Sequence, residues 1–161
     1  MAIKRLCTEL KDILKDPNYF YSCSPTDSML IWDFTMIGPP DTLYENGIFT
    51  GTINFSQSYP IKPPTVVFNN ILHPNIYTNG NVCISILHEG TDVYGYEKDY
   101  ERWNPSQNIN SIMLSILSML SAPNFESPAN IDASVLWKEN PSKYEEIIYK
   151  LVSKSQSYEL R

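Results

Sequence analysis

The sequence predicts an α+β domain in which a four-stranded antiparallel meander is flanked by an N-terminal helix, a central helix and C-terminal helices. Three observations predict it. The chain's 12 prolines lie mostly outside three stretches, and because interior prolines break helices, those Pro-free stretches are the helix candidates. Between the first two of them, runs rich in β-branched and aromatic residues alternate with Gly, Pro, Asn and Asp clusters, the pattern of strands joined by turns. The order is helix, strands, then helices, which segregates the helices to one face of an antiparallel sheet.

The first helix spans Ala2–Lys15, with Ile3, Leu6, Leu10 and Leu14 at helical spacing and Asp16-Pro17 ending it. Cys7 falls on this helix's apolar face and is expected in the core. A weak strand near Tyr19–Ser22 precedes clearer ones at Met29–Ile37, Ile48–Phe55 and Thr65–Phe68, and Cys23 falls in a turn. Asn108 can cap a second helix carrying Ile109, Ile112, Met113, Ile116, Leu117 and Leu120, and its near-continuous apolarity predicts a buried central helix. A short helix is expected around Ala133–Lys138. Pro141 suits a first helical position, and Tyr144, Ile147, Ile148, Leu151 and Val152 repeat at helical spacing behind it. With no repeat and no linker, residues 1–161 read as one domain. About forty residues from Phe68 to Asn108 show little periodicity, and long irregular segments in compact domains usually carry function.

Composition removes several classes of function. At 161 residues, 42% hydrophobic and 12% aromatic, the chain is apolar enough to bury a core and excludes disorder. A net charge of −6 and a pI near 4.8 argue against nucleic acid as partner, because phosphate binding needs clustered Lys and Arg. The most apolar stretch, Ile112 to Leu120, is interrupted by Ser115 and Ser118 and is far short of the ~20 residues a membrane span requires, so no direct membrane insertion is expected. The N-terminus lacks the apolar run of a secretory signal, and Ser-Tyr-Glu-Leu-Arg at the C-terminus is no retention tag. The expected address is cytoplasmic, with the nucleus as an alternative. Cys7, Cys23 and Cys83 form no C-x-x-C pair or zinc spacing, so reduced thiols are expected.

The irregular segment holds His73-Pro74-Asn75-Ile76-Tyr77, then Asn79-Gly80-Asn81-Val82-Cys83-Ile84-Ser85-Ile86-Leu87, and later Arg102-Trp103-Asn104-Pro105. Tyr59-Pro60-Ile61-Lys62-Pro63-Pro64 precedes it, and Pro123-Asn124 closes the second helix. In this order and spacing the chain resembles the ubiquitin-conjugating enzyme family, over nearly its whole length. The distance from Cys83 to Trp103 exceeds that in the shortest members. The insert, at about 88–101, holds His88, Glu89, Asp92, Glu97, Asp99 and Glu101 against Lys98 and Arg102, and it resembles the acidic-loop (G-type) subfamily.

An acyl carrier needs a nucleophile whose bond is weak enough to pass on, and a cysteine thioester meets this, because amine attack converts it to a much more stable amide. Only the position of Cys83 after His-Pro-Asn marks it as nucleophile rather than as an ordinary buried thiol. The resemblance implies an oxyanion-stabilising or loop-ordering role for Asn75, the two left open, and a structural role for His73 rather than a Cys-His hydrolase dyad. His88 is expected as a solvated loop residue or one that positions the insert. Many relatives carry an Asp two residues after the cysteine and another after Pro-Asn, where this chain has Ser85 and Ser127. That departure puts the usual base in doubt, and the insert's resemblance to the acidic-loop class implies help with lysine deprotonation from Asp92 and Glu101, with Tyr96 orienting and Glu126 in reserve. Lys4, Arg5, Ile61, Lys62, Asn104, Pro105 and Ser106 correspond to the family's docking site for the activating enzyme and ligases.

The resemblance further implies ubiquitin, ubiquitin-activating enzyme, a RING-type ligase and substrate lysines as partners, with no cofactor and no metal. The product is expected to be polyubiquitin for proteasomal or endoplasmic-reticulum-associated degradation, with a partner recruiting the chain to the cytosolic face of that membrane. Alternatives are conjugation of another ubiquitin-like modifier, or a non-catalytic ubiquitin-binding variant.

Overall fold

The computed structural model describes residues 1–157; the C-terminal tag reading falls largely on residues beyond them. Helix α1 (Ala2–Lys15) leads into strands β1 (Tyr21–Pro25), β2 (Ile31–Ile37), β3 (Ile48–Asn54) and β4 (Thr65–Phe68), and then come α2 (Ile109–Ser121), α3 (Ile131–Glu139) and α4 (Pro141–Ser157). Single 3₁₀ turns at Ser85–Leu87 and Asp99–Glu101 interrupt the long segment between β4 and α2. The strands pair antiparallel in the order β1-β2-β3-β4, the expected meander.

Alternation fixes which face of the sheet is buried. Trp32, Phe34 and Met36 on β2, Phe49 and Ile53 on β3, and Val66 and Phe68 on β4 are all buried, as period-two side-chain placement requires. They share one apolar cluster with Ile109, Ile112, Met113, Ile116, Met119 and Leu120 of α2. Asn108 caps α2 as expected: its side chain accepts from the Ser111 amide at 2.8 Å, and the Ser111 hydroxyl accepts from the Asn108 amide at 2.8 Å. Two donors left open at the helix start are thereby satisfied.

Three differences from the sequence reading concern the thiols and α1. The first strand begins at Tyr21 and reaches Pro25, so Cys23 lies in a strand rather than a turn, and burial pushes its thiol up to about 12. Cys7 is exposed rather than in the core. The buried stripe of α1 is Ala2, Leu6 and Glu9, rotated from the apolar spacing, with Ile3 and Leu14 exposed. A carboxylate occupies the helix's inner face.

Tyr44 and Tyr144 tie α4 to the long segment between β4 and α2. Their hydroxyls lie 2.7 Å apart and 2.6 and 3.0 Å from the Leu72 carbonyl, immediately before His73.

Gly51 has a steric role in the sheet. It pairs with Phe34 on one side and Phe68 on the other, and those rings meet edge to face across it at 5.1 Å. A Cβ here would lie 2.2 Å from the Val67 carbonyl oxygen and 2.6 Å from the Phe34 ring. Gly51→Ala is therefore expected to destabilise the fold by about 1–3 kcal/mol, the usual cost of overpacking, read as a lower urea midpoint at unchanged slope.

Candidate active site

The segment from β4 to α2 has no ladder beyond isolated bridges at Val67–Asn81 and Ile76–Val82, so side chains take up part of its backbone groups. His73 is fully buried. Its Nδ1 accepts from the Asn75 amide at 2.9 Å, and its Nε2 lies 3.0 Å from the Met119 carbonyl near the end of α2. An acceptor at one nitrogen and a donor at the other is the neutral imidazole with its proton on Nε2. Burial agrees, lowering the His73 pKa to about 4.

Asn75, 2% exposed, is the knot of the loop. Its side chain donates to the Asn124 carbonyl at 2.9 Å and accepts from the Asn124 amide at 2.8 Å, and its own carbonyl accepts from the Cys83 amide at 2.9 Å. The adjacent Pro74 carbonyl takes the amides of Ala129 and Asn130 at 2.8 and 2.9 Å. One asparagine thus joins the His73 turn, the cysteine and the segment after α2.

Cys83 is half-buried in a cleft of about 250 Å³ whose lining includes Asn75, Ser85, His88, Glu97, Asn124 and Ser127. Its Sγ lies 3.6 Å from His88 Nε2. His88 Nδ1 faces both oxygens of Glu97 at 2.8 and 3.0 Å, and Arg102 donates to the same carboxylate at 3.0 Å. Arg102 also donates to the carbonyls of Gly90 and Glu89, each at 2.8 Å. A carboxylate that holds the proton on Nδ1 leaves Nε2 to share the thiol's proton, the arrangement that activates a cysteine nucleophile. The His88 hydrogen bond holds the Cys83 thiol below its usual range against the opposing effect of burial, and nearby Tyr77 acts in the same direction. Reciprocally, the bond to Cys83 raises the His88 pKa, with Glu97 contributing.

His88 is thus no solvated loop residue. The two acids expected to serve the cleft do not line it, and both are engaged with backbone. Asp92 accepts from the amides of Tyr94, Tyr96 and Glu97 at 2.9–3.0 Å, bonds that lower its pKa, and it shapes a turn in which Gly90 and Gly95 take positive φ. Glu101 accepts from the Lys98 amide at 3.2 Å and lines an adjoining groove with Ser85, Tyr100 and Ser111. Tyr96 is 85% exposed, lies beside Tyr94 and is not among the cleft residues; nor is Glu126. The cleft acid is Glu97, which sequence reasoning passed over along with Tyr77 and Arg102's bridging role. A Glu and an Arg five residues apart in an aperiodic loop carry no spacing signal.

The expected docking residues gather near α1. Lys4, Ile61, Lys62, Pro105 and Ser106 are exposed, and Asn104 accepts from the Ser106 amide and hydroxyl. Arg5 differs, because its guanidinium is spent on Glu9, Pro105 and Gln107.

The chain has two histidines, and they are expected to titrate on opposite sides of the ordinary 6.5. Followed by the NMR shifts of their ring carbons, His73 stays neutral until about pH 4, whereas His88 takes its proton above 6.5. The unfolded chain protonates His73 near 6.5 and the folded chain does not, so this group's stabilisation is complete above pH 6.5 and is lost as pH falls toward 4. Titration of both rings near 6.5 would refute these environments.

The ubiquitin-conjugating enzyme family model matches residues 5–152. Among similar proteins, ubiquitin-conjugating enzyme E2 13 of Arabidopsis thaliana is 50% identical, with 92% of each chain covered. Ubiquitin-conjugating enzyme E2 15 of Schizosaccharomyces pombe is 48% identical over 91% of this chain and 90% of the relative. Ubiquitin-conjugating enzyme E2 G2 of Homo sapiens is 41% identical over 96% of both. With a thiol, a paired imidazole and the His73–Asn75 knot assembled in one cleft, and with these relatives matched nearly end to end, the chain belongs to the ubiquitin-conjugating enzyme family.

Proposed function

We propose that this enzyme carries ubiquitin as a thioester on Cys83 and passes it to a lysine amine with the help of a RING-type ligase. The observation that carries the reading is the line from Cys83 Sγ through His88 and Glu97 to Arg102. In charging, the Cys83 thiolate attacks the carbonyl of ubiquitin's thioester on the activating enzyme, whose own thiolate leaves. In discharge, a lysine amine attacks the new thioester, the amide forms, the Cys83 thiolate departs and the ammonium loses one proton.

His88 serves both halves. While the thiol is free, imidazole shares its proton; once sulfur is acylated, Nε2 has no thiol partner and stands where a lysine must approach. A lysine of reference pKa about 10.4 needs such a base near neutral pH. Asn75 spends one of its two amide protons on Asn124, which leaves one for the oxyanion, a contribution of roughly 2.7–4 kcal/mol where such a donor is in place. Asp92 and Glu101 act by shaping the insert rather than by touching the lysine.

Lys4, Ile61, Lys62 and Asn104–Ser106 form the docking face for the activating enzyme and ligase. An apolar anchor such as Ile61, 62% exposed on a proline-stiffened turn, loses little entropy on docking. Residues 1–161 act as one catalytic domain, and the acidic insert supports polyubiquitin synthesis for degradation, at the cytosolic face of the endoplasmic reticulum through a recruiting partner.

Incubation with ubiquitin, activating enzyme and ATP is expected to give an added-ubiquitin band on a non-reducing gel that thiol reductant removes. Cys83→Ala abolishes it, and Cys83→Ser converts it to a reductant-resistant ester. No band, beside a control enzyme that charges, would turn the reading to another modifier or to a binding module. From the charged state, His88→Gln or Glu97→Gln is expected to slow discharge to free lysine about 10²-fold, the lower end of general-base contributions. Unchanged single-turnover discharge in both variants would remove the base role.

A further inference from the structure

Glu9 is the one carboxylate among the described residues that is buried, at 6% exposure, and the chemistry at Cys83 makes no use of it. Two of its three contacts reach other segments, and the third is Arg5, one turn away on α1. Its Oε2 accepts from the Tyr59 hydroxyl and from Arg5 Nε, the latter at 2.9 Å. Its Oε1 accepts from the Ile109 amide at 2.7 Å, the first residue of α2, where a helix offers open donors and the positive end of its dipole.

The partners extend the knot. Arg5 donates to the Pro105 carbonyl at 3.0 Å and to the Gln107 carbonyl at 2.8 Å, and its guanidinium lies over the Tyr59 ring. Tyr59 packs on Trp103, whose indole donates to the Pro60 carbonyl at 2.9 Å. Hence α1, the 56–63 turn and the 103–107 segment, which between them bear all the docking residues, converge on one carboxylate. Without it, Arg5 loses the partner that aims it at Pro105 and Gln107, and Tyr59 loses its tie to α1.

We propose that Glu9 is a positioning residue for protein docking, holding these three segments so that Lys4, Ile61 and Asn104–Ser106 present one preformed surface to the ubiquitin-activating enzyme, with Arg5 as a strut rather than a contact. This rests on the docking reading above. The occupant follows from the surface: Lys62 adjoins exposed Ile61 and Lys4 is exposed on α1, so the matching patch is acidic with an apolar pocket. A preformed surface loses less entropy on association, so the gain falls on affinity and not on the chemical step.

Glu9→Gln keeps volume, but its amide nitrogen replaces one acceptor, so either Arg5 Nε or the Ile109 amide meets a donor, and the charge that holds the strut is gone. Charging kinetics with activating enzyme are expected to show KM for this protein rising about tenfold with kcat within twofold, while ligase-free discharge from Cys83 is unchanged. Arg5→Lys retains the charge but loses the fork to Pro105 and Gln107, and is expected to raise KM about threefold. Unchanged KM in both variants overturns the proposal. So does an equal loss of kcat, discharge and melting temperature in Glu9→Gln with Arg5→Lys at its original KM, since that is a structural role only. Lys4→Glu combined with Ile61→Ala separates the premise: if its KM is also unaltered, the docking face itself is misplaced.

Discussion

The neutral imidazole of His73 is the constraint on which the catalytic segment depends. A stretch of about forty residues with only two 3₁₀ turns and two isolated bridges has to be held by specific bonds, and its His73–Asn75 end hangs from two nitrogens of one buried ring. One nitrogen fastens the loop to α2 at Met119, and the other sets the Asn75 turn. Were the ring protonated, Nδ1 could no longer accept, and a buried amide would be left unpaired at a cost of about 1–3 kcal/mol. Burial that keeps the ring neutral is therefore part of the loop's architecture. Asn75 then transmits that order to Cys83 and to Asn124.

The same logic explains why two residues with catalytic chemistry are divided between structure and reaction. His73 has no lone pair or proton to spare, because both nitrogens are engaged and no solvent reaches it. His88 sits at the cleft with its outer nitrogen toward sulfur. A conjugating enzyme must activate a thiol without hydrolysing its thioester, and a single imidazole at the edge of a narrow, serine-lined cleft meets both demands better than a pair would.

Much of the fold was legible in the sequence because its signals are local. Proline placement marked α1 and α4, Asn108 and Ser111 marked the start of α2, and β-branched runs marked β2 to β4, each to within a residue or two. Cys83 and the His73–Asn75 turn were legible from their order and spacing. What escaped was tertiary. Glu9 sits on the inner face of α1 because a tyrosine, an arginine and a helix start from elsewhere in the chain neutralise and bond it, and no helical period announces that. Asp92 and Glu101 looked catalytic because they are acids beside an active cysteine, yet turns containing Gly90 and Gly95 expose backbone amides that nearby carboxylates satisfy first. Glu97 reaches the cleft only because Asp92 has folded the loop behind it.

Glu97 also sets a problem that Arg102 answers. A carboxylate beside the cleft repels the Cys83 thiolate and so works against the ionisation that His88 promotes. Moving the charge away would free Nδ1 of His88 to turn. Arg102 eases the conflict by donating to Glu97 Oε2, an oxygen that His88 Nδ1 also faces, so that the carboxylate keeps its grip on the ring beside a balancing cation. The remaining guanidinium donors close the base of the insert on the Glu89 and Gly90 carbonyls, which places the electrostatic correction and the loop's anchorage in one side chain.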